Sequence, residues 1–350
     1  MKIVFITATM GGGGSERVIA ELANQYIKWN HQVEIVMTAG KEKAYYLDPK
    51  VKVTCLGGQT QGNIWKRIKR LSLLRKKMSM PKDTLFISFG TETNLYCILA
   101  AMGKRVNLLL SERNDPGHCT YPMIRNLLYS FGKKFVFQTP DARACFSTSI
   151  RQNSIVIPNP ITRNIPIFDV TEREKKIVTV GRLTPQKNHR LMLAAFSKFH
   201  KEYSDYELVL YGQGELEQEL KQYVEELQLQ ENVIFAGFHK DVLNQIKNVS
   251  MYVLSSDYEG ISNSLLEALA IGLPVISTDC PIGGSKMCIQ NGANGLLVPV
   301  GDAEALSEAM IKIVENPDWA ERMGREATKV RERFSVENIA RKWLEFGVNK

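Results

Sequence analysis

Two carboxylates, Glu259 and Glu267, lie eight residues apart in the sequence DYEGISNSLLEALAIGL, residues 257–273. The first precedes a glycine, and the second falls inside an apolar run with helical spacing. The apolar segment before them predicts a buried strand, so the order is strand, acidic turn and helix. Ser262 and Ser264 are suitable N-cap residues for that helix. A helix start carries unpaired N–H groups and a charge of about +0.5, which suits a phosphate, and a carboxylate beside it suits sugar hydroxyls.

Two cations follow a second predicted strand, in the sequence VTVGR. Arg182 ends this sequence, and Lys187 comes just before a predicted helix. Because the carboxyl ends of parallel strands form one edge of a sheet, both should lie where ligands bind. With the helix start near Ser264, they could hold the charge of a departing diphosphate. The simpler alternatives are two surface cations, a turn residue at Glu259 and a solvated helix position at Glu267.

Glycines mark three further predicted strand ends. Residues 11–14 are all glycine and separate a predicted strand from a predicted helix, where the backbone could approach a phosphate or a sugar. The spacing is not G-x-G-x-x-G and no clear ribose-binding acid follows, so an NAD site is disfavoured. Gly212 follows the strand-like sequence YELVLY, and Gly237 with Phe238 follows NVIFA. Each of these glycines could equally form a plain tight turn.

The elements that must position these residues are strands alternating with helices, which predict parallel sheets covered on both faces. Periodicity is lost after residues 158–160 and the sequence becomes charged at 171–176, so we place a linker between them. The alternation restarts at residue 177. We therefore predict two doubly wound Rossmann-like α/β domains, residues 1–165 and residues 166–334.

Together these motifs resemble the family 4 retaining glycosyltransferases, which use nucleotide sugars. That family carries two glutamates separated by seven residues in its second domain, here Glu259 and Glu267. The Gly-Arg-Leu sequence at 181–183, followed by Lys187, also matches. The resemblance implies the GT-B architecture, two Rossmann-like domains facing across a cleft, with a C-terminal helix in residues 335–350 crossing back to complete the first.

The resemblance implies a donor site in the C-terminal domain and catalysis without a metal ion. Arg182, Lys187 and Glu259 would be the catalytic residues, with Glu259 against the donor sugar. Glu267 would bind the ribose hydroxyls and Phe238 the uracil. The other donor contacts that it implies are Gly14, Gly181, Gly212, Gly260, Ile261, Ser262, Asn263, Ser264 and Leu265. The chain has no Asp-x-Asp motif for a metal, and a UDP-sugar donor with no cofactor is expected.

By the same resemblance the N-terminal domain would bind the acceptor, often a polyprenyl-diphosphate-linked sugar. Many relatives carry Glu-His in one loop of this domain, where this chain has Glu112 and Arg113. Any catalytic role of that histidine in the relatives is therefore in doubt for this chain, although His118 lies nearby in the sequence. Gly13, Arg113 and His118 are the candidate acceptor contacts. Relatives often carry an acid at the position of Lys286, which could alter contacts with either substrate.

Residues 64–82 contain eight basic residues and no acid. Their apolar residues recur near helical spacing, which predicts a basic amphipathic helix. Such a helix can lie at a membrane interface, where each cation contributes about 1 kcal/mol against anionic lipid. The alternative is a surface helix with its apolar stripe on the core. The candidate membrane contacts are Trp65, Lys66, Arg67, Lys69, Arg70, Arg75, Lys76 and Lys77.

The composition limits the class of protein to which the chain can belong. The chain has 350 residues, 44% hydrophobic and 23% charged, which is typical of a globular protein with more than one domain. No apolar run approaches the ~20 residues of a membrane span, and the N-terminus reads as a first strand and not as a signal peptide. Six scattered cysteines favour reduced thiols in a cytoplasm. The net charge of +8 favours an anionic partner.

These observations favour a retaining, metal-independent glycosyltransferase on the cytoplasmic face of the cell membrane. It would move a hexose or N-acetylhexosamine from a UDP-sugar to a lipid-linked saccharide in capsule, exopolysaccharide or glycan assembly. A UDP-sugar epimerase of the same fold is the alternative, and a phosphorylase would need a pyridoxal lysine and a longer chain. A nucleic-acid-binding protein is disfavoured, because no module with base-stacking aromatics accompanies the basic segment.

Overall fold

The computed structural model describes residues 1–40, 44–57, 64–79, 81, 83–166 and 173–348, without the side chain of Ile64. The chain divides into two compact units. Unit 1 comprises Met1–Pro160 and Phe334–Lys350, and unit 2 comprises Ile161–Arg333. The division falls five residues before the predicted boundary at 165/166, and part of the predicted linker, residues 167–172, lies outside the described residues.

Unit 1 contains a fully parallel sheet. In the described residues its strand order is β3-β2-β1-β4-β5-β6-β7, which is the doubly wound arrangement. The strands are β1 Lys2–Thr7, β2 Gln32–Met37, β3 Lys52–Cys55, β4 Leu85–Phe89, β5 Asn107–Ser111, β6 Phe135–Phe137 and β7 Ser154–Val156. The helices between them are α1 Gly14–Lys28, α2 Ile64–Lys77, α3 Thr91–Ala101, α4 Pro122–Tyr129, α5 Pro140–Ala144 and α6 Thr148–Gln152.

Alternate residues of β1 face two separate hydrophobic layers. Ile3 and Phe5 pack with residues of α1 on one face of the sheet. Val4 and Ile6 pack with residues of α2, α3 and α4 on the other. Because both faces are covered, the strands read as continuous apolar runs, and β4 is buried along its whole length.

Unit 2 repeats the arrangement with the strand order β10-β9-β8-β11-β12-β13 in its described residues, again fully parallel. The strands are β8 Glu174–Val180, β9 Glu207–Tyr211, β10 Val233–Gly237, β11 Val249–Leu254, β12 Val275–Thr278 and β13 Leu296–Val298. The helices are α7 His189–His200, α8 Glu217–Glu226, α9 Val242–Ile246, α10 Asn263–Ile271, α11 Gly284–Cys288, α12 Ala303–Glu315, α13 Pro317–Ala327 and α14 Val330–Arg333.

The helical segment predicted over residues 303–333 is three helices. Pro317 begins α13, since proline lacks an N–H and tolerates only the first helical turn. Asp302 caps α12 by accepting from the N–H of Ala305 at 2.9 Å. None of the helices within the described residues has the length and apolarity needed to cross a membrane.

The last helix, α15 Val336–Val348, belongs to unit 1. Its Trp343 is fully buried and stacks on Phe89 with ring centroids 5.5 Å apart. The hydroxyl of Tyr26 donates to the carbonyl oxygen of Ala340 at 3.0 Å. The predicted return of the C-terminal helix to the first domain is therefore confirmed, and aromatic burial holds it there.

Candidate functional site

Unit 2 has its topological switch point between β8 and β11. β8 pairs with β9 on one side and β11 on the other, so the chain leaves these two neighbouring strands in opposite directions. The loops at their carboxyl ends carry the predicted catalytic residues. One loop contains Arg182 and Lys187, and the other contains Glu259. Ligands bind in the crevice that forms at such a point.

Hydrogen bonds fasten the two loops together. The N–H of Asp257 donates to the carbonyl oxygen of Gln186 at 3.0 Å, and the hydroxyl of Ser255 donates to that of Lys187 at 2.9 Å. The side-chain amide of Asn188 donates to the carboxylate of Asp257 at 2.7 Å. Asn188 also has a φ of 42° and caps α7, so one asparagine sets the helix start and the loop contact. These contacts could not be predicted from local sequence, in which the asparagine before a helix is their one signal.

Lys187 and Glu259 form an ion pair across these loops, with side chains only 11% and 14% exposed. The hydroxyl of Ser256 lies 3.4 Å from the same carboxylate oxygen of Glu259. Gly181 leaves room for the lysine, because a Cβ there would lie 3.3 Å from its Cε. The pair keeps a cation and a carboxylate at the switch point, and it contradicts the alternatives of a surface cation and an ordinary turn residue.

Arg182 is exposed beside this pair. Among the described residues no acidic side chain forms an ion pair with it. Its carbonyl oxygen lies 3.2 Å from Nε2 of His189, which is buried at the start of α7. Burial, reinforced by the charge of Lys187, lowers the pKa of His189 to about 4. The neutral imidazole therefore donates to this carbonyl at physiological pH and holds the loop, while the guanidinium remains available to an anion.

The start of α10 lies against the end of β8. Ser262 is the N-cap, with its hydroxyl 3.4 Å from the N–H of Leu265. The hydroxyl of Ser264 donates to the carbonyl oxygen of Val180 at 2.8 Å and accepts from the hydroxyl of Tyr252 at 2.8 Å. The Ser264 side chain is thus engaged within the protein. What α10 offers an anion is therefore the partial positive charge of its N-terminus, and not the hydroxyl of Ser264.

Glu267 is only 3% exposed within α10, so the alternative of a solvated helix position is wrong. Ile261 and Leu265 are buried as well, whereas Asn263 begins the helix and is half-buried. A buried carboxylate is costly unless hydrogen bonds satisfy it, so Glu267 is not an ordinary surface position of this helix.

Glycines at the site allow backbones to touch. A Cβ on Gly212 would lie 1.8 Å from the carbonyl oxygen of Gly181, and its φ is 144°. A Cβ on Gly284 would lie 1.8 Å from the carbonyl oxygen of Gly260, which is buried. Gly214 is similarly close to Leu183, with 2.1 Å to its carbonyl oxygen. Gly212 and Gly214 are therefore both required by loop packing, and the expected contact of Gly212 with the nucleotide stays a prediction.

Three further residues of unit 2 bear on the site. Phe238, just after β10, is 69% exposed, which is unusual for a phenylalanine. Lys286 pairs with Asp279 at 2.9 Å, so the cation at a position where an acid was expected is partly neutralised. Burial and the nearby charge of Glu259 raise the pKa of Cys280 to about 12, which keeps this thiol protonated and unreactive.

The glycine loop of unit 1 precedes α1. Gly13 is the N-cap and Gly14 the first helical residue, and Gly12 has a φ of 108°. The hydroxyl of Tyr45 donates to the carbonyl oxygens of Gly12 and Gly13, at 2.9 and 3.2 Å. A Cβ on Gly13 would lie 2.3 Å from the carboxylate of Glu16. The close packing of this loop thus explains why some of its positions are glycine. Ligand contacts of Gly13 and Gly14 stay predictions.

Arg113 is half-buried and packs against aromatic rings of unit 1, and its expected role as an acceptor contact stays a prediction. Its guanidinium lies over the rings of Phe89 and Trp343, 5.0 and 4.9 Å from their centroids. It also donates to the carbonyl oxygen of Ile157 and the side chain of Asn159 at 3.3 and 3.2 Å. Burial lowers the pKa of Arg113 to about 9. The residue fastens α15 to the sheet of unit 1.

His118 is half exposed and paired with a buried acid. Its Nδ1 lies 3.0 Å from a carboxylate oxygen of Asp115, whose other oxygen accepts from the N–H of Gly117 at 2.7 Å. Such a pair fixes the orientation of the imidazole. The role of His118 as an acceptor contact stays a prediction, and Asp115 was not recognised in the sequence because an acid before proline is also an ordinary helix cap.

The basic segment is helix α2, as predicted, but it does not expose all of its cations. Arg70 is buried, and Lys77 pairs with the buried Glu34, so neither belongs to an outer surface. The guanidinium of Arg75 donates to the carbonyl oxygens of Ala100 and Met102, at 3.1 and 2.7 Å. Leu74 and Met78 lie in the core, as a surface helix with its apolar stripe on the core requires, and the membrane interpretation stays a prediction. Lys82 lies outside the described residues. Exposed candidates are Trp65, Lys66, Arg67, Lys69, Arg75 and Lys76.

No group of three or more histidine, cysteine, aspartate or glutamate side chains able to hold a metal ion occurs in the described parts of the two units. The candidate site is thus built from an exposed arginine, a paired lysine and glutamate, and a helix start. These groups can bind a diphosphate and contact polar hydroxyls.

Comparison with known proteins supports this description. Residues 161–330 match the family described as Glycosyl transferases group 1. The chain is 28% identical over 353 residues to the GalNAc-alpha-(1->4)-GalNAc-alpha-(1->3)-diNAcBac-PP-undecaprenol alpha-1,4-N-acetyl-D-galactosaminyltransferase of Campylobacter jejuni, covering 98% of this chain and 97% of that protein. It is 26% identical to an N-acetylgalactosamine-N,N'-diacetylbacillosaminyl-diphospho-undecaprenol 4-alpha-N-acetylgalactosaminyltransferase of the same organism, covering 99% of each chain.

The structure is also similar to that of Anabaena Alr3699/HepE in complex with UDP-glucose. The TM-score is 0.82 at 17% sequence identity, over 99% of this chain and 98% of that one. At this identity the likeness concerns the fold, and it confirms the predicted GT-B class of two parallel α/β domains.

Proposed function

We propose that this chain, whose residues 161–330 match the group 1 glycosyl transferases, is a retaining, metal-independent transferase that uses a UDP-sugar. It moves a hexose or N-acetylhexosamine to a saccharide carried on a polyprenyl diphosphate, in the assembly of a capsule, an exopolysaccharide or a glycan. The observation that carries the proposal is the exposed Arg182 beside the Lys187–Glu259 pair at the switch point of unit 2.

The departing diphosphate is the group that most needs stabilisation. Arg182 can donate to two of its oxygens at once, and Lys187 supplies a point charge. The N–H groups at the start of α10 add the partial charge of a helix N-terminus. Because these groups are positioned before the sugar–phosphate bond breaks, they stabilise charge that develops in the transition state. In this assignment Arg182 and Lys187 do the work of a metal ion.

The donor sugar and the nucleoside lie on either side of this diphosphate position. Glu259, held by Lys187, contacts the sugar ring, where a carboxylate stabilises a partly cationic anomeric carbon. Glu267, buried in α10, accepts from the ribose hydroxyls. The exposed ring of Phe238 contacts the base. The UDP-glucose complex of HepE, a protein of the same fold, supports uridine as the nucleoside.

Unit 1 takes the acceptor in this proposal. The two Campylobacter relatives act on saccharides linked to undecaprenyl diphosphate by their names, and they match this chain over almost its whole length. His118, oriented by Asp115, is the side chain best placed to contact such an acceptor. The glycine loop at Gly13 and Gly14 is the second candidate. With a lipid-linked acceptor, the enzyme would work at the inner face of the cell membrane, and the exposed cations of α2 would favour its anionic lipids.

Donor binding and transfer test the proposal together. Thermal unfolding is measured with UDP-, GDP- and ADP-sugars, and a UDP-sugar at 100 times its dissociation constant should raise the free energy of unfolding by about 2.7 kcal/mol. Transfer of a labelled sugar to a polyprenyl-diphosphate saccharide is then followed with and without EDTA. Stabilisation by GDP- or ADP-sugars alone would contradict the uridine assignment, and loss of transfer on chelation would contradict metal independence.

A further inference from the structure

Helix α4 of unit 1 points its large apolar side chains away from the protein. Met123 and Leu127 are 84% and 65% exposed, and Ile124 and Phe131 are exposed as well. At 3.6 residues per turn these four positions cover about 100° of the circumference, with Phe131 just past the end of the helix. We call them the α4 stripe. Contiguous exposed apolar surface on a helix marks a site of interaction with a partner or a membrane.

The opposite side of α4 carries a buried cation. The guanidinium of Arg125 donates to the carbonyl oxygen of Pro116 at 2.7 Å and lies 4.9 Å from the ring centroid of Phe146. Tyr129, one turn later, is fully buried. The usual distribution of a surface helix is thus reversed, with a charge inward and methionine and leucine outward. The reversal shows that the stripe is not simply a core face left uncovered.

The α4 stripe shares its face of unit 1 with the basic helix α2. Leu74 of α2, Ile98 of α3 and Tyr129 of α4 lie in one hydrophobic layer on the same face of the sheet. α3 contacts both of the other helices, so the three form a continuous layer with α3 in the middle. The exposed sides of α2 and α4 therefore point away from the sheet in the same general direction, and Trp65 of α2 is 74% exposed on that side.

The charge of this layer is almost entirely positive. The sequences of α2 and α4 contain no acid, and Glu92 is the acid of α3. No Asp or Glu occurs in residues 116–140, and Lys133 and Lys134 follow the stripe. An anionic bilayer complements such a surface. A second copy of the chain docked through the same face would bring cations against cations, since a two-fold interface pairs a surface with itself.

We infer that the outer side of the α2–α3–α4 layer docks on an anionic lipid bilayer, with the α4 stripe inserted among the acyl chains and the α2 cations on the headgroups. This inference rests on the proposed function and deepens it, because an enzyme whose acceptor is linked to a lipid must reach a bilayer. The two helices contribute differently. Binding through α2 is electrostatic and falls with salt, whereas insertion of the stripe is apolar and persists in salt.

Flotation with vesicles separates these contributions. The full chain is mixed with phosphatidylcholine vesicles in which about 30% of the lipid is the anionic phosphatidylglycerol. Binding is measured at low and at high salt. The double variant Met123→Ser/Leu127→Ser should reduce binding on the order of tenfold at both salt levels. The double variant Lys66→Gln/Lys69→Gln should reduce binding mainly at low salt. The matched control is Ile234→Ser, an exposed apolar residue of unit 2, which should leave binding unchanged.

Insertion is read out with Leu127→Trp in a Trp65→Phe background, because Trp65 lies on the same outer side and would itself respond. Lipids brominated in the acyl chain should quench this variant more than Trp65→Phe alone, whose remaining tryptophans include Trp319, packed in unit 2. Wild-type flotation by the α4 double variant, or a dimer in sedimentation velocity that this variant dissociates, would overturn the inference. UDP-dependent thermal stabilisation of the α4 double variant should equal that of the wild type. If the wild type floats but shows no response to UDP, the proposed function fails and the docking surface stands.

Discussion

Nζ of Lys187 is paired with a carboxylate oxygen of Glu259, and this contact joins the loop after β8 to the loop after β11. The two residues are distant in sequence but lie on neighbouring strands at the switch point. Because both side chains are largely shielded from water, each charge depends on the other. A donor diphosphate arriving at this place would meet a lysine already held in position. The pair therefore connects the stability of unit 2 to its proposed chemistry.

Replacing one partner of this ion pair should destabilise the protein more than replacing both. Lys187→Met leaves the glutamate with little solvent and should lower the free energy of unfolding by about 2 kcal/mol, somewhat less than for a fully buried pair. The double variant Lys187→Met/Glu259→Gln should recover part of that loss. Urea unfolding of the four proteins in a double-mutant cycle gives the coupling, and additive effects of the two substitutions would contradict the expectation.

Arg182→Ala should lower the rate of sugar transfer at least on the order of 100-fold, because about 3 kcal/mol of transition-state stabilisation is lost with a charge contact of this kind. The fold should not suffer, since the side chain is exposed and its carbonyl still accepts from His189. Steady-state kinetics with saturating acceptor measure the effect. Arg190→Ala, at an exposed arginine of α7 paired with Glu219, is the control and should keep nearly the wild-type rate.

The sequence was sufficient for the architecture and for the elements of the site. Strand–helix alternation predicted both doubly wound units, and the strand-end positions of Arg182 and Lys187 placed them at one edge. The contacts of individual side chains could not be predicted from the sequence. That Arg113 lies under Trp343 and that Arg70 is buried depend on how α15 and α2 pack, and packing of distant segments has no local signal. The same holds for the hydroxyl of Ser264, which donates to the carbonyl oxygen of Val180.

Gly212→Ala should destabilise the protein by roughly 3 kcal/mol or more, because a Cβ would overlap the carbonyl oxygen of Gly181 and the φ of 144° disfavours any side chain. Donor binding should weaken in parallel, since the displaced loop carries Arg182. Gly57→Ala is the matched control, with open space around its Cβ position and no positive φ. Thermal unfolding of both variants provides the comparison, and equal melting temperatures would show that the loop packing is wrongly assigned.

Trp343→Ala should lower the free energy of unfolding by about 3 to 5 kcal/mol, since it empties a fully buried aromatic position between Phe89 and Arg113. It also removes the aromatic ring from beneath a buried guanidinium. Trp65→Ala tests the opposite case, because this residue is mostly exposed and its loss should change stability by no more than about 0.5 kcal/mol. Urea unfolding that showed similar losses for the two variants would contradict the assignment of α15 to the core of unit 1.

The stability of unit 2 should fall as the pH falls from about 6.5 to about 4, the interval over which His189 titrates differently in the unfolded and folded chains. Because burial lowers the folded-state pKa to about 4, the unfolded chain binds a proton first, and folding loses on the order of 3 kcal/mol across this interval. His189→Gln keeps a donor for the carbonyl of Arg182 and should flatten this part of the profile. His239→Gln, at an exposed histidine, should leave it unchanged. A wild-type slope retained in His189→Gln would assign the acid sensitivity to another group and remove the histidine from its role in holding the Arg182 loop.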